Sequence, residues 1–247
     1  MDAVTHGEAT AMILYLNMAY ILQIETSTTT CSVALSLNGG SIAFKELQER
    51  NIHASSITVF IQDVLDEAGI RFNQLDAVAV AKGPGSYTGL RIGVSTAKGL
   101  CYALDIPLIA INTLDMMVAG FLSENPTFKG FVVPMLDARR MEVYTGIWNS
   151  EGLTVEETSA KIIDNTFLAE KLGNTDIAFI GDGSAKFAEI LQHPNAAFYL
   201  NNDYNSARNL SKLAYKSFKD QKFEDVAYFE PFYLKDFMVT QPKAKKL

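Results

Sequence analysis

The chain has 247 residues, of which 48% are hydrophobic and 20% charged, with only 7 prolines. That composition supplies enough apolar side chain for a sizeable core and excludes a fibrous or disordered chain. The formal net charge of −7 argues against an unaided nucleic-acid binder, because phosphate neutralisation by Lys and Arg supplies most of the affinity for such a partner.

In chain order, Met12–Ile24 comes first, with Ile13, Leu14, Leu16, Met18, Ile21 and Leu22. Asp2 and Glu8 precede it and no small-residue cleavage site follows, so it lacks the layout of a signal peptide. It is also shorter than the ~20 apolar residues of a membrane helix. Residues 1–17 are expected to be an extension without structural importance, with Met18 a natural start. Tyr20–Ile24, Cys31–Leu37 and Ser41–Leu47 read as strands, and Asn38-Gly39-Gly40 between the last two is a hairpin signal. Ser55–Ala68 reads as a helix, because Ile57, Phe60, Ile61, Val64, Leu65 and Ala68 share one face and Gly69 supplies a stop. Leu75–Ala81 reads as a strand, and the glycine-rich loop Gly83–Gly89 leads into a helix from about Thr88 to Leu104. Leu90, Val94, Ala97, Leu100, Cys101 and Leu104 form its inward stripe. Pro107–Ile111 as strand and Leu114–Leu122 as helix complete the alternation of a layered α/β domain.

A second pass begins near Phe131. Phe131–Leu136 and Glu142–Trp148 form a hairpin around Asp137-Ala138-Arg139-Arg140. Asp164–Leu172 reads as a helix, Ile177–Ile180 as a strand, and Ser184–Leu191 as a helix after Gly181-Asp182-Gly183. Asn205–Gln221 reads as one closing helix. The pattern predicts a duplicated architecture, with one lobe over residues 18–124, a second over 125–235 and a tail over 236–247. Lys243, Lys245 and Lys246 make that tail a small basic terminus.

Two loops could carry chemistry. Glu25-Thr26-Ser27-Thr28-Thr29-Thr30 offers an acid and five hydroxyls between two strands. Such a turn can cradle phosphate or its metal, and it can equally be a polar hairpin turn. Gly83–Gly89 ends at a helix start, where free N–H groups favour an anion. It is neither a P-loop, since no Gly-Lys-Ser/Thr follows, nor a nucleophile elbow, since Pro84 and Thr88 flank Ser86. A rigid strand-to-helix connection is the alternative reading. The histidines His6, His53 and His193 show no metal-ligand spacing, and Asp137 with Glu142 reads as a solvated pair flanking a turn. Cys31 and Cys101 have no redox-motif spacing. They could pair, but two reduced, buried thiols are the plainer reading.

The second helix carries another face of Ile92, Ser95, Thr96, Gly99 and Ala103. Small residues there allow close approach of another helix, within the chain or from a partner. The first helix has Ile52 and Val59 off its core stripe, and both helices leave the choice between interface and core open.

Several segments resemble the TsaB (YeaZ) family. They are Ile21-Leu22-Gln23-Ile24-Glu25-Thr26-Ser27-Thr28, Cys31-Ser32-Val33-Ala34-Leu35 and, most specifically, Gly83-Pro84-Gly85-Ser86-Tyr87-Thr88-Gly89-Leu90-Arg91-Ile92-Gly93. Asp137-Ala138-Arg139, Glu142-Val143-Tyr144, Gly181-Asp182-Gly183, Pro231 and Tyr233-Leu234 add to it. The resemblance implies an α/β protein of the actin-like, Hsp70 and sugar-kinase fold, with two lobes that each hold a mixed sheet flanked by helices. It implies a non-catalytic, cytoplasmic scaffold in formation of threonylcarbamoyladenosine in tRNA. The implied partners are the catalytic subunit TsaD and the ATPase TsaE, with a homodimer when alone, tRNA contacted only through the complex, and no membrane. The interface it implies lies on the first two helices, at Ile52, Ile57, Val59, Phe60, Thr88, Ile92, Ser95, Thr96, Gly99 and Ala103. Glu25, Thr26, Ser27, Asp137, Gly181 and Gly183 would be vestigial phosphate loops holding no cofactor, and Glu25 stands where the family commonly has Asp.

TsaD-like chains carry Asn-His-Leu-Glu-Gly-His, whose two imidazoles bind metal. This chain has Asn112-Thr113-Leu114-Asp115-Met116-Met117. A hydroxyl and a thioether do not replace imidazoles for a hard or borderline divalent ion, so no metal centre and no catalytic residue are expected. The competing reading is an enzyme of the same superfamily, a nucleotide-using phosphotransferase or, less well supported, a metalloprotease.

Overall fold

Strands β1 (Tyr20–Glu25), β2 (Thr30–Leu37) and β3 (Gly40–Gln48) form an antiparallel meander. Asn38 and Gly39, at φ of 50° and 81°, make the turn between β2 and β3, as an Asn-Gly pair predicts. The computed structural model describes residues 18–49, 52–162, 164, 171, 173, 175–200 and 204–235. The expected 1–17 extension, the 236–247 tail and, apart from Asp164 and Lys171, the expected 164–172 helix lie outside these.

Helix α1 (His53–Ala68) crosses the first sheet and stops at Gly69, which adopts the left-handed cap. Strand β4 (Ala77–Gly83) then pairs parallel to β1. Helix α2 (Tyr87–Leu104) starts at Ser86, whose hydroxyl accepts the Gly89 N–H. Strand β5 (Leu108–Asn112) follows, parallel to β4, and α3 (Thr113–Glu124) is capped by the Asn112 side chain. The first sheet has the order β3-β2-β1-β4-β5.

The second lobe repeats this plan. Strands β6 (Phe131–Asp137), β7 (Glu142–Asn149) and β8 (Thr154–Ile162) form the meander. Strand β9 (Ile177–Ile180) runs parallel to β6, α4 (Ser184–Ala188) follows, and β10 (Ala196–Tyr199) runs parallel to β9. The order β10-β9-β6-β7-β8 mirrors the first sheet element for element. Two mixed sheets built on one repeated topology make up the actin-like, Hsp70 and sugar-kinase architecture.

Helices α1 and α2 share a core with one face of the first sheet, through Ile57, Ile61, Val64, Val94 and Ala97 against Leu22, Ile24, Val78 and Val80. The opposite face packs on α3, which lies between the lobes. Its Leu114, Met117, Val118 and Phe121 touch the same cluster as Ile21 and Ala79 of the first sheet and Val132 and Trp148 of the second. Phe121 meets Phe128, Tyr199 and Tyr204 edge-on, with centroids 5.2, 4.9 and 5.7 Å away, a favoured aromatic geometry. A helix buried on most sides needs no polar face, as its apolar sequence shows. No described helix is long and apolar enough to cross a membrane. Both cysteines are buried and free.

Several elements differ from the expected ones. Strands β8 and β10 are additions: β8 mixes Glu156, Glu157 and Ser159 with apolar residues on an edge and shows no clean alternation, and β10 has four residues. The expected helix over Ser184–Leu191 ends at Ala188. The expected closing helix over Asn205–Gln221 is divided into a 3-10 turn, Ala207–Leu210, and helix α5, Ser211–Lys219. Tertiary bonds hold its start extended: Ser206 Oγ donates to Glu46 at 2.6 Å, and Ala207 N–H donates to Ser32 Oγ at 3.0 Å. This segment and α5 therefore return to the first sheet.

After α5 the chain becomes a strap. Glu224 N–H bonds Leu108 O at 2.9 Å, Lys98 Nζ bonds Phe229 O at 2.8 Å, and Phe232 N–H bonds Lys82 O at 2.7 Å. The Tyr233 ring packs on Tyr87 with centroids 4.8 Å apart. Lys235 then ion-pairs with Glu142 of β7, which ties the two lobes together.

Candidate functional site

Glu25, Thr26 and Ser27 are buried at the end of β1, and their polar groups bond within the protein. Glu25 Oε1 accepts the Ser27 N–H at 2.7 Å and the Ser27 hydroxyl at 2.5 Å. The N–H that a phosphate would use is therefore held by a carboxylate of the same loop. Thr26 Oγ1 donates to Gly89 O at 2.8 Å, and Ser86 N–H donates to Ser27 O at 2.6 Å, which fasten the loop to the start of α2. His53 Nε2 lies 2.9 Å from Thr28 O and fastens it to α1.

The glycines of the 83–93 segment serve this contact. An added Cβ would lie 2.3 Å from Ser27 O at Gly85 and 2.0 Å from Thr26 O at Gly89. The rigid-connection reading of this loop thus has a direct physical cause. The loop is a mount on which α1 and α2 are held.

The second-lobe loops are used in the same way. Asp137 Oδ1 accepts from the Arg139 N–H at 2.6 Å and from Lys186 Nζ at 2.5 Å. Gly183 N–H donates to Met135 O at 3.0 Å. Gly181 sits at φ 89°, where an added Cβ would lie 2.5 Å from both Met117 Cε and Met135 O.

Thr113 and Met117, where the resemblance implies metal-binding imidazoles in TsaD-like chains, are both fully buried. The Met117 thioether packs against Gly181 inside the interlobe core. These residues do not fit a metal ion, because neither donor suits one and the space holds apolar contacts. The described histidines bond to backbone, His53 at Thr28 O and His193 Nδ1 at the Asn195 N–H, 3.2 Å away. Among the described residues no three His, Cys, Asp or Glu side chains are grouped to hold a metal ion.

A cavity of about 400 Å³ opens beside the edge of β5, lined by Lys82, Asn112, Asp115, Glu157, Lys216 and Asp220. At its edge Asp115 Oδ1 accepts from Trp148 Nε1 at 2.9 Å. Burial raises the Asp115 pKa above the usual 3.8, opposed by the Trp148 bond and by Lys82 and reinforced by Glu157. A carboxyl whose folded pKa is raised costs stability once it ionises. The cost is absent below 3.8 and appears as pH climbs through the folded value. Asp115→Asn keeps an acceptor for Trp148 without the charge. Its urea midpoint should therefore improve relative to wild type as pH is raised from about 4 to 7.

One face of helices α1 and α2 has no packing partner among the described residues. Thr88, Ser95, Gly99 and Ala103 of α2 are exposed, as is Val59 of α1, while Ile52, Phe60, Ile92 and Thr96 are half-buried. An added Cβ at Gly99 would meet nothing within 4 Å. Tyr102, 86% exposed, borders this face. Ile57 is a correction to the expected interface set. It is 2% exposed, because it belongs to the inward stripe against the first sheet, and it offers no area to a partner. The sequence pattern does not single out Tyr102.

Comparison with known proteins agrees with this geometry. A family model described as "TsaD: tRNA N6-adenosine threonylcarbamoyltransferase" matches residues 46–247. The tRNA threonylcarbamoyladenosine biosynthesis protein TsaB of Escherichia coli strain K12 is 38% identical over 139 residues, 53% of this chain and 59% of that protein. Against that relative the chain spans less than two thirds of the length. The Bacillus subtilis strain 168 protein of the same name is 31% identical over 177 residues, 70% of this chain and 75% of that protein. The solved structure of YeaZ from Pseudomonas aeruginosa superposes with a TM-score of 0.76 at 28% identity, covering 88% of this chain and 100% of that one. With a shared fold and this breadth of match, the chain belongs to the TsaB (YeaZ) family, within the wider group that the TsaD model describes.

Proposed function

We propose that the chain acts in formation of threonylcarbamoyladenosine in tRNA as a non-catalytic scaffold that binds and supports a catalytic subunit of the TsaD type. The observation that carries this is the exposed face of α1 and α2, with small residues on α2 and a buried loop holding both helices in place. Small residues let a partner helix approach closely, and a pre-ordered surface lowers the entropic cost of association. The same face pairs two copies of the chain when the catalytic subunit is missing. The ATPase TsaE is a further partner in this assembly, and the site of action is the cytoplasm.

Two further features support a supporting role over a chemical one. Thioether and hydroxyl stand where imidazoles would bind metal, and the first phosphate-type loop already holds its own carboxylate. The same bonding counts against a nucleotide-using phosphotransferase.

Light scattering after size exclusion tests the proposal, on the chain alone and mixed with the catalytic subunit from the same organism. The chain should be a homodimer that exchanges into a one-to-one complex. Gly99→Arg should weaken both associations by about 100-fold or more, since a long charged side chain would enter a close helix contact. Measured at concentrations low enough that the wild type is also monomeric, its melting temperature should not fall, because the site is open in the monomer and Gly is a poor helix former. A wild-type monomer indifferent to the catalytic subunit would overturn the reading.

A further inference from the structure

Arg139 and Arg140 stand side by side at the tip of the β6–β7 hairpin, with φ of 70° and 56°. Left-handed backbone suits Gly or Asn and is unfavourable for a longer side chain. Both arginines are exposed. Two lysines from distant parts of the chain brace the turn. Lys186 of α4 bonds the Asp137 carboxylate at 2.5 Å and Arg140 O at 2.7 Å. Lys235 of the strap bonds the Glu142 carboxylate and lies 3.5 Å from Ala138 O. The turn's own carboxylates are thereby matched by lysines. A third acid, Asp182, accepts the Asp137 N–H. Neither arginine guanidinium has a side-chain partner among the described residues.

The basic surface continues along the strap. Two residues before Lys235, Tyr233 packs on Tyr87, and the exposed Arg91 guanidinium lies 4.2 Å above the Tyr87 ring. Arg91 Nε also donates to Tyr233 Oη at 3.3 Å. Arg91, Arg139 and Arg140 thus lie along one surface that crosses both lobes, with the Lys186–Asp137 and Lys235–Glu142 ion pairs between them and Glu230 near Arg91, on a chain of net charge −7.

We propose that this track contacts RNA through its phosphates, with Arg139 and Arg140 as the principal contacts. Arginine presents a planar fork of donors that matches phosphate oxygens, and it keeps its charge at any physiological pH. A planar guanidinium stacked on a tyrosine, beside a second tyrosine, is a surface on which unstacked bases also pack. This combination favours RNA over an acidic protein, for which charge alone would serve. The choice of tRNA as the RNA rests on the function proposed above. The acidic remainder of the chain keeps the contact weak, so it adds to a grip provided elsewhere in the assembly.

Fluorescence anisotropy of a labelled tRNA transcript, titrated with the full chain at low salt, tests this. In the Arg139→Asn, Arg140→Gly double variant, affinity should fall about tenfold or more. The slope of log affinity against log salt should shrink by about 1.5 to 2, as expected for two lost phosphate contacts. The melting temperature should stay level or rise, because Asn and Gly suit the backbone there. If that variant does not fold, Arg140→Gln carries the same test with about half the change in slope. Unchanged RNA affinity overturns the proposal. Displacement of tRNA by polyglutamate as effectively as by RNA of equal charge overturns it in favour of an acidic protein. Displacement by ATP at equal phosphate concentration overturns it in favour of a mononucleotide. Association with the catalytic subunit, measured by light scattering without RNA, fails or succeeds independently of these outcomes.

Discussion

Gly89→Ala should destabilise the protein by about 3–5 kcal/mol, from overpacking together with the loss of buried hydrogen bonds. On helix propensity alone the change would be favourable by about 1 kcal/mol, since alanine is the better helix former. The packing reverses that sign. The new methyl carbon would lie 2.0 Å from Thr26 O, well inside van der Waals contact, and the obstacle is backbone. Thr26 cannot withdraw without breaking its bond to Gly89 O and disturbing the Ser86 to Ser27 bond. A loss of this size consumes much of a typical domain stability of ~5–15 kcal/mol. Guanidinium unfolding followed by circular dichroism would measure it. Gly99→Ala is the control on the same helix. With nothing within 4 Å of its Cβ, it should stabilise by about 0.5–1 kcal/mol. Equal effects at the two positions would refute the close-packed loop.

Trp148→Ala should cost about 4–8 kcal/mol. Removing a fully buried aromatic costs about 3–5 kcal/mol through lost transfer energy and the cavity left behind. A further ~1–3 kcal/mol comes from leaving the half-buried Asp115 carboxylate without its Trp148 donor. Trp148→Phe fills most of the space and should cost only about 1–3 kcal/mol, from the lost hydrogen bond. Urea midpoints from circular dichroism would separate the two. The wild type can also be followed by fluorescence, because Trp148 is the chain's one tryptophan and lies in the core shared by both lobes. If alanine and phenylalanine cost the same, the hydrogen bond to Asp115 would account for the whole effect and the packing for none.

These two sites differ in how far sequence alone could reach them. The loop at Gly83–Gly89 was visible as a glycine-rich strand-to-helix connection, and its rigid role was one of two readings. What separates them is the approach of Thr26 and Ser27, more than fifty residues earlier, and no local pattern encodes that distance. Trp148 was legible as the end of a strand. Its partner Asp115 belongs in sequence to the 112–117 stretch, and their contact depends on how the second lobe docks on α3.

Local chemistry settled much of the fold. The β2–β3 hairpin follows from Asn38-Gly39, because few other residues accept positive φ at both positions. Helix α1 follows from a 3.6-residue apolar period and Gly69, and the end of β9 follows from the turn that Gly181 allows. The repeat of a hairpin followed by strand and helix is visible because each half carries its own hydrophobic period. The unexpected elements, β8 and β10, are edge strands with few buried positions, so burial imposes little pattern on their sequence. The division of the closing helix was hidden for another reason. Residues 205–221 suit a helix locally, and only bonds to Glu46 and Ser32 on the first sheet hold the beginning of that segment extended.

The sequence by itself determined the duplicated plan, the main helices with the Gly69 stop of the first, and the family. It also showed that the residues at 113 and 117 cannot serve as metal-binding imidazoles. The tertiary structure decided which apolar residues are core and which are surface. Ile57 and Val59 are two positions apart on one helix, yet the first is 2% exposed and the second 53%. Helical periodicity gives the direction of each side chain around the axis. What lies in that direction, a sheet or solvent, depends on long-range packing that no short window of sequence contains.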